Sequence, residues 1–200
     1  MTRVLVVSTL NSMDIEERLE EAPREPPGSV HSPQLVLMGV AGSGKTAVGL
    51  ELARRTGWDF HDADDFHSPE NKRKMRNGIP LTDTDRGPWL EGLHGLLVLY
   101  ARRDAPVILA CSALKRKYRE VLAGKLPTVR FVYMKGSFET LRSRIEQRKD
   151  HYMKAGMLES QFETLEEPDP LEGTAVSVDV DRGTPGELAE EICRRIETCS

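Results

Sequence analysis

The run Gly39-Val40-Ala41-Gly42-Ser43-Gly44-Lys45-Thr46 follows the pattern G-x-x-x-x-G-K-[ST] in full. Its spacing has a chemical purpose. Glycines at 39, 42 and 44 let the backbone turn tightly and aim successive N–H groups inward, which makes a cradle for phosphate. A helix starting near Lys45 would add its positive end. Lys45 can then reach the β- and γ-phosphates of a nucleotide, and the Thr46 hydroxyl can ligate Mg²⁺. The chemistry implied is phosphoryl transfer from ATP with Mg²⁺.

A second group of reactive side chains is His61-Asp62-Ala63-Asp64-Asp65. Phosphoryl transfer to an alcohol needs a carboxylate that holds metal and a group that accepts the hydroxyl proton. If the segment is extended, Asp62 and Asp64 are two apart and share a face, so they can divide these tasks. Asp62 is the candidate metal ligand, because the apolar run Val107–Cys111 ends in Cys-Ser rather than in an acid. Asp64 is the candidate proton acceptor. Lys115 and Arg119 lie four apart, one helical turn, and can address anionic groups at the reaction centre.

These residues need a scaffold that brings them to one edge, and the chain reads as strand, turn and helix repeated. Leu35–Met38 is a short apolar run suited to a buried parallel strand. Lys45–Arg55 reads as the following helix, ended by Gly57. Trp58–Asp62, Val107–Cys111, Val129–Met134 and Ala175–Val180 read as four further strands. Helices are expected from Ser68-Pro69, from Pro88 with Trp89, Leu93, Leu96, Leu97 and Tyr100 on one face, through Lys115 and Arg119, over Phe138–Arg148 with Ser137 as cap, and after the capping box Thr184-Pro185-Gly186-Glu187. Five strands alternating with helices predict an α/β fold with a doubly wound, five-stranded parallel sheet. Ligands of such a sheet bind beyond the carboxyl ends of its strands, where both reactive groups fall.

The chain has 200 residues, enough for one domain with a short appendage. Residues 1–33 read as a weakly ordered extension, because Ala22–Pro33 is rich in Pro, Gly and Ser. Residues 34–200 read as the catalytic domain. The formal net charge of −4 argues against a general attraction to nucleic acid or to an anionic membrane. No apolar run reaches the length of a membrane span. Cys111, Cys193 and Cys199 are odd in number and lack zinc-site spacing, which reads as a reduced, cytoplasmic protein.

From about residue 34 to 198 the chain resembles the gluconokinases, ATP-dependent 6-phosphotransferases of gluconate related in fold to shikimate and nucleoside-monophosphate kinases. Several blocks carry the resemblance. They are Leu37-Met38-Gly39-Val40 with the cradle behind it, Asp62 to His67 with Asn71, Lys74 and Met75, Gly78 to Arg86 followed by Pro88-Trp89-Leu90, Cys111 to Lys115 with Tyr118-Arg119, and Gln161 to Pro168. Ala41 stands where the family often has Ser, and Asp150 where Gly commonly precedes the next His. The resemblance implies an enzyme that converts ATP and gluconate, with Mg²⁺, into 6-phosphogluconate, and a homodimer. A sugar acid needs cations for its carboxylate and hydrogen-bonding groups for its hydroxyls. Candidates are Asp64, His67, Asn71, Lys74, Asp85, Arg86, Lys115 and Arg119. Arg144 and Arg148 lie four apart before a polar stretch, Lys149–Gly156, that looks like the mobile lid of related kinases. On closure Arg148 would bring charge onto the transferring group, with Arg144 on the nucleotide. Two alternatives stand beside this reading: a kinase of another small acceptor such as shikimate or a nucleoside monophosphate, and a nucleotide-binding module without turnover.

Overall fold

The structure is a computed structural model that describes residues 32–147, 155–169 and 175–196. Five strands make one parallel sheet: β1 (Gln34–Met38), β2 (Asp59–Asp62), β3 (Val107–Ala110), β4 (Val129–Lys135) and β5 (Ala175–Asp179), in the order β2-β3-β1-β4-β5. Central β1 pairs with β3 through Leu35↔Ile108 and with β4 through Val36↔Phe131. All five of its residues are buried. Side chains alternate across a strand, so Leu35 and Leu37 enter one apolar cluster while Val36 and Met38 enter the other.

Each cluster is closed by helices. On the first face lie α1 (Lys45–Thr56) through Val48 and Leu52, and α7 (Pro185–Ile196) through Leu188 and Ile192. Parts of α5 (Phe138–Glu146) and α6 (Ala155–Thr164) join them through Leu141, Ile145 and Leu158. On the second face lie α3 (Asp83–Arg102), with Trp89, Leu93, Leu96 and Leu97, and α4 (Arg116–Ala123), with Tyr118 and Leu122. The short α2 (Pro69–Arg76) stands apart, beyond the end of β2. The expected doubly wound α/β architecture is the one observed.

Local chemistry sets the boundaries. Gly57 ends α1 in the left-handed region at φ 75, and its N–H donates to Ala53 O. Ser68 caps α2, with Pro69 in its first turn. Thr184 and Glu187 form the expected reciprocal cap on α7. Helix α6 was not among the expected elements, and another helix begins earlier than expected. The helix assigned from Pro88 starts five residues earlier, at Asp83, and Pro88 lies inside it. Thr82 is its cap, in a capping box with Asp85. The first turn carries no apolar residue to reveal it, and the box of Thr82 and Asp85 was the available signal.

Of the expected extension 1–33, only Ser32 and Pro33 lie within the described residues. Both already join the domain. Ser32 donates from its N–H to Asp104 Oδ1 at 2.7 Å, and Pro33 O accepts from Val107 N. Cys111 is buried and free, while Cys193 is disulfide-bonded, so the all-reduced reading holds for Cys111 and fails for Cys193. Among the described residues, no helix is long and apolar enough to cross a membrane.

Candidate active site

The cradle joins β1 to α1 at the carboxyl edge of the sheet. Gly42 adopts φ 81, and a Cβ there would lie 2.9 Å from Leu141 O and 3.1 Å from Ile145 Cγ1. Both backbone conformation and space therefore demand glycine. Gly44 adopts φ 86 with open space around it. It occupies the N-cap of α1 and supplies no side-chain bond, and no acidic residue stands in the first turn. The first N–H groups of α1 are thus left for an external anion, as a phosphate-binding helix end requires. The Lys45 ammonium donates to Gly39 O at 2.9 Å and to Val40 O at 3.0 Å. It lies folded over the loop it is meant to serve.

Across from the cradle, β2 delivers Asp62. Its register with Ala110, and that of Ala110 with Leu37, puts all three residues at one level of the sheet. Asp62 Oδ2 accepts from Thr46 Oγ1 at 2.9 Å. These are two hard oxygens at the mouth of the cradle. Mg²⁺ is held by one or two carboxylates or hydroxyls together with substrate phosphates, and this donor set fits it. Among the described residues, no group of three or more His, Cys, Asp or Glu is arranged to hold a metal.

Asp64 does not sit on the strand, as alternation had it. The strand ends at Asp62, which caps a 3₁₀ turn, Ala63–Phe66, by accepting from Asp64 N at 3.1 Å. The two carboxylates are neighbours through that cap. Asp64 is open, with 84% of its side chain exposed. Partial desolvation by the surrounding protein, then the adjacent Asp62 charge, raise its carboxyl above the usual range, against the opposing pull of Lys45 and Arg86. A raised pKa suits a proton acceptor.

The turn is supported from below. Trp89, on α3, donates from Nε1 to Ala63 O at 2.8 Å and is nearly buried. Its ring stacks on His67 at 4.2 Å between centroids. His67 is buried, with Nε2 at 4.0 Å from Asp64 Oδ1 and Nδ1 lacking a hydrogen-bond partner. Burial first, then Arg86 and Lys72, push its pKa down to about 4. A neutral ring stacked under the acidic turn results.

The remaining sequence candidates divide. Asn71, Lys74 and Asp85 are engaged with each other: Asn71 Nδ2 donates to Asp85 O at 2.8 Å, and Lys74 Nζ to Asp85 Oδ1 at 2.7 Å. With the Thr82 box they tie α2 to α3. Arg86 faces the site, acting on Asp64 and His67 and lying 5.9 Å from the Tyr118 ring centre. Lys115 pairs with Asp83 at 3.2 Å and lies over the same ring. Asp83, which sequence reasoning passed over, also accepts from Lys117 and from the Tyr118 hydroxyl. These bonds hold its carboxyl well below the usual carboxylate range.

Lys115 is the N-cap of α4, in extended backbone, and its carbonyl accepts from Arg119 N at 3.3 Å one turn on, but the two side chains part, Lys115 toward Asp83 and Arg119 toward backbone carbonyls. Arg119 is 2% exposed, and Nη1 donates to the backbone carbonyls of Glu166, Ala113 and Leu114. It clamps the loop behind the site. Arg144 donates to Val180 O at 2.6 Å, near the end of β5. Arg148 and most of the expected lid lie outside the described residues.

A family model described as an AAA domain matches residues 35–168. The thermoresistant gluconokinase of Escherichia coli (strain K12) is 43% identical over 157 residues, covering 78% of this chain and 90% of that one. A probable gluconokinase of Xenopus tropicalis is 45% identical over 163 residues, covering 74% and 85%. The crystal structure of a gluconokinase from Sinorhizobium meliloti 1021 superposes with a TM-score of 0.74 at 41% identity, covering 84% of this chain and 95% of that one.

Proposed function

The chain belongs to the gluconokinase family of P-loop kinases, and from that membership we propose that it transfers the γ-phosphoryl group of ATP to gluconate, forming 6-phosphogluconate. The observation that carries the reading is the meeting of Thr46, Asp62 and Asp64 beside an uncapped helix end. A cradle for the donor and a basic carboxylate for the acceptor stand at one edge of the sheet.

The residues divide the work as follows. The Gly39–Thr46 backbone binds the phosphates, and Lys45 leaves the Gly39 and Val40 carbonyls for the transferring group. Thr46 and Asp62 would hold Mg²⁺, whose charge neutralises the phosphate oxygens when bound. Asp64 takes the proton from the attacking hydroxyl as the new P–O bond forms and the bond to ADP breaks. His67 and Trp89 hold the turn that carries it. Arg86, which acts on Asp64 and His67, and Lys115, which shares the Tyr118 ring with it, receive the sugar acid's carboxylate. Arg144 serves the nucleotide end, and Arg148 brings charge onto the transferring group. The reading includes a domain beginning at Ser32, a cytoplasmic location and a homodimer.

An acceptor screen tests it. ADP release is followed with gluconate, other sugar acids, shikimate and nucleoside monophosphates. Gluconate should give the highest kcat/KM; a preference for another acceptor would replace the substrate, and ATP binding without turnover on any acceptor would replace the enzyme. The two carboxylates are separated by Mg²⁺ titration. Asp64→Asn should lose about 10²-fold in turnover at every Mg²⁺ concentration, whereas the Asp62→Asn defect should shrink as Mg²⁺ rises.

A further inference from the structure

One contact to the cradle comes from a distant part of the chain. The Gln161 side-chain carbonyl Oε1, on α6, accepts from the Ala41 N–H at 2.6 Å. The same peptide unit carries the Val40 carbonyl, which accepts from Lys45 Nζ at 3.0 Å. Among the described residues every peptide bond is trans. In a planar trans unit the N–H and C=O point in opposite directions. Gln161 and Lys45 therefore grip the Val40–Ala41 peptide from its two sides.

Gln161 is presented from a firm base. Phe162 packs edge-on against Phe138 of α5 at 5.5 Å between ring centres. Beyond α6, Glu166 N donates to Leu114 O at 2.9 Å, and Glu166 Oε2 accepts from Arg116 N at 2.6 Å. Arg119 Nη1 donates to Glu166 O at 2.9 Å. Glu167 takes Lys135 Nζ at 2.8 Å. The segment from Gln161 to Glu167 is thus a strap fixed to the start of α4 and to β4. Its leading end, Gln161, bonds the cradle.

We propose that Gln161 is a positioning residue for phosphoryl transfer: by holding the Ala41 N–H it fixes the orientation of the Val40–Ala41 peptide and, through the Val40 carbonyl, the resting place of the Lys45 ammonium. The proposal rests on the kinase reading above and concerns the donor side only. Without the acceptor oxygen the peptide is free to rotate about its flanking bonds. The Val40 carbonyl then leaves Lys45, and the loop meets the phosphates from a wider range of conformations. The strap also makes the cradle's geometry depend on the same segment that fixes the start of α4, where Lys115 stands.

The test compares Gln161→Met, of similar length but without the acceptor, with Gln161→Glu, which keeps an acceptor oxygen. Leu165→Ala, which loosens the strap's packing without touching the bond, controls for a structural effect. Steady-state kinetics give kcat and both KM values. Calorimetry gives the affinity for a non-hydrolysable ATP analogue with no acceptor present, so this arm reads the donor side even if gluconate is the wrong acceptor. Gln161→Met should lower kcat by about tenfold, less than the loss of a direct transition-state donor. It should weaken the analogue severalfold and leave the KM for gluconate within about twofold of wild type, since uniform acceptor binding is untouched. Gln161→Glu should recover most of kcat. Wild-type kinetics in Gln161→Met would overturn the proposal, as would equal damage in Met and Glu variants, or a loss that Leu165→Ala reproduces in proportion to its change in Tm.

Discussion

Trp89→Phe separates the support of the acidic turn from its chemistry. The indole Nε1 donates to Ala63 O at 2.8 Å in a buried setting, and its ring lies over His67. Phenylalanine keeps an aromatic ring in the core and deletes the donor. A buried carbonyl that loses its partner costs about 1–3 kcal/mol. The smaller ring leaves a partly filled space that adds about 1 kcal/mol. The sum, about 2–4 kcal/mol, should lower Tm by about 5–15 °C in a domain of this size. Ala63 directly precedes Asp64, so a carbonyl released from Trp89 lets the proposed proton acceptor drift. A displacement approaching 1 Å can cost up to about 10²-fold, and a smaller one should lower kcat by about tenfold. Affinity for an ATP analogue should not change, because the cradle makes no contact with Trp89. Urea unfolding with steady-state kinetics measures both quantities. Destabilisation under about 0.5 kcal/mol, within the range of a neutral surface change, would show that the Ala63 bond contributes little and refute the argument.

Lys45→Ala should cut turnover by about 10²–10³-fold with little change in Tm, and near-normal turnover would remove Lys45 from the transfer step. Gly42→Ala should lose nucleotide affinity and about 1–3 kcal/mol of stability, because φ 81 is strained for alanine and its Cβ meets the Leu141 carbonyl; a thermal melt with and without ADP reads both. His67 is held neutral, with its pKa pushed down to about 4 from an ordinary 6.5. The unfolded chain therefore binds more protons between these values, so stability is full above pH 6.5 and falls as pH drops toward 4. Buried His61 is shifted in the same direction, so His67→Gln should flatten the slope of stability against pH in part, and an unchanged slope would show that His67 is protonated in the folded chain.

The parts of the site that depend on a local pattern were legible in the sequence. The cradle is one: its glycines are dictated by backbone conformation and its Lys and Thr by chemistry, all within one short run. The unbroken apolar run Leu35–Met38 likewise announced a strand buried on both faces. Asp64 is proposed on its chemistry, and its placement on the strand was misread, because strand periodicity was extended through a turn that Asp62 caps. Arg119 was misplaced for a related reason. Helical spacing from Lys115 presumed helical backbone at both residues, whereas Lys115 is the extended N-cap of α4 and the Arg119 guanidinium turns inward onto backbone carbonyls. Gln161 and Asp83 carried no signal of type or spacing. Their roles come from partners 120 and 32–35 residues away in the chain, which only the assembled fold brings near.

The mutual engagement of Asn71, Lys74 and Asp85 bears on how this enzyme can diverge. Substitution of any one of them disturbs the same joint between α2 and α3, so the three should behave as a single genetic locus. Once one has changed, the next has less left to disrupt, and their effects should fall short of additive. A drift in acceptor preference through this corner would have to cross a valley in which every first step is harmful. Arg86 and Lys115 stand outside that joint. Selection for a new acceptor therefore has its easier path through those two cations, with the corner carried along unchanged.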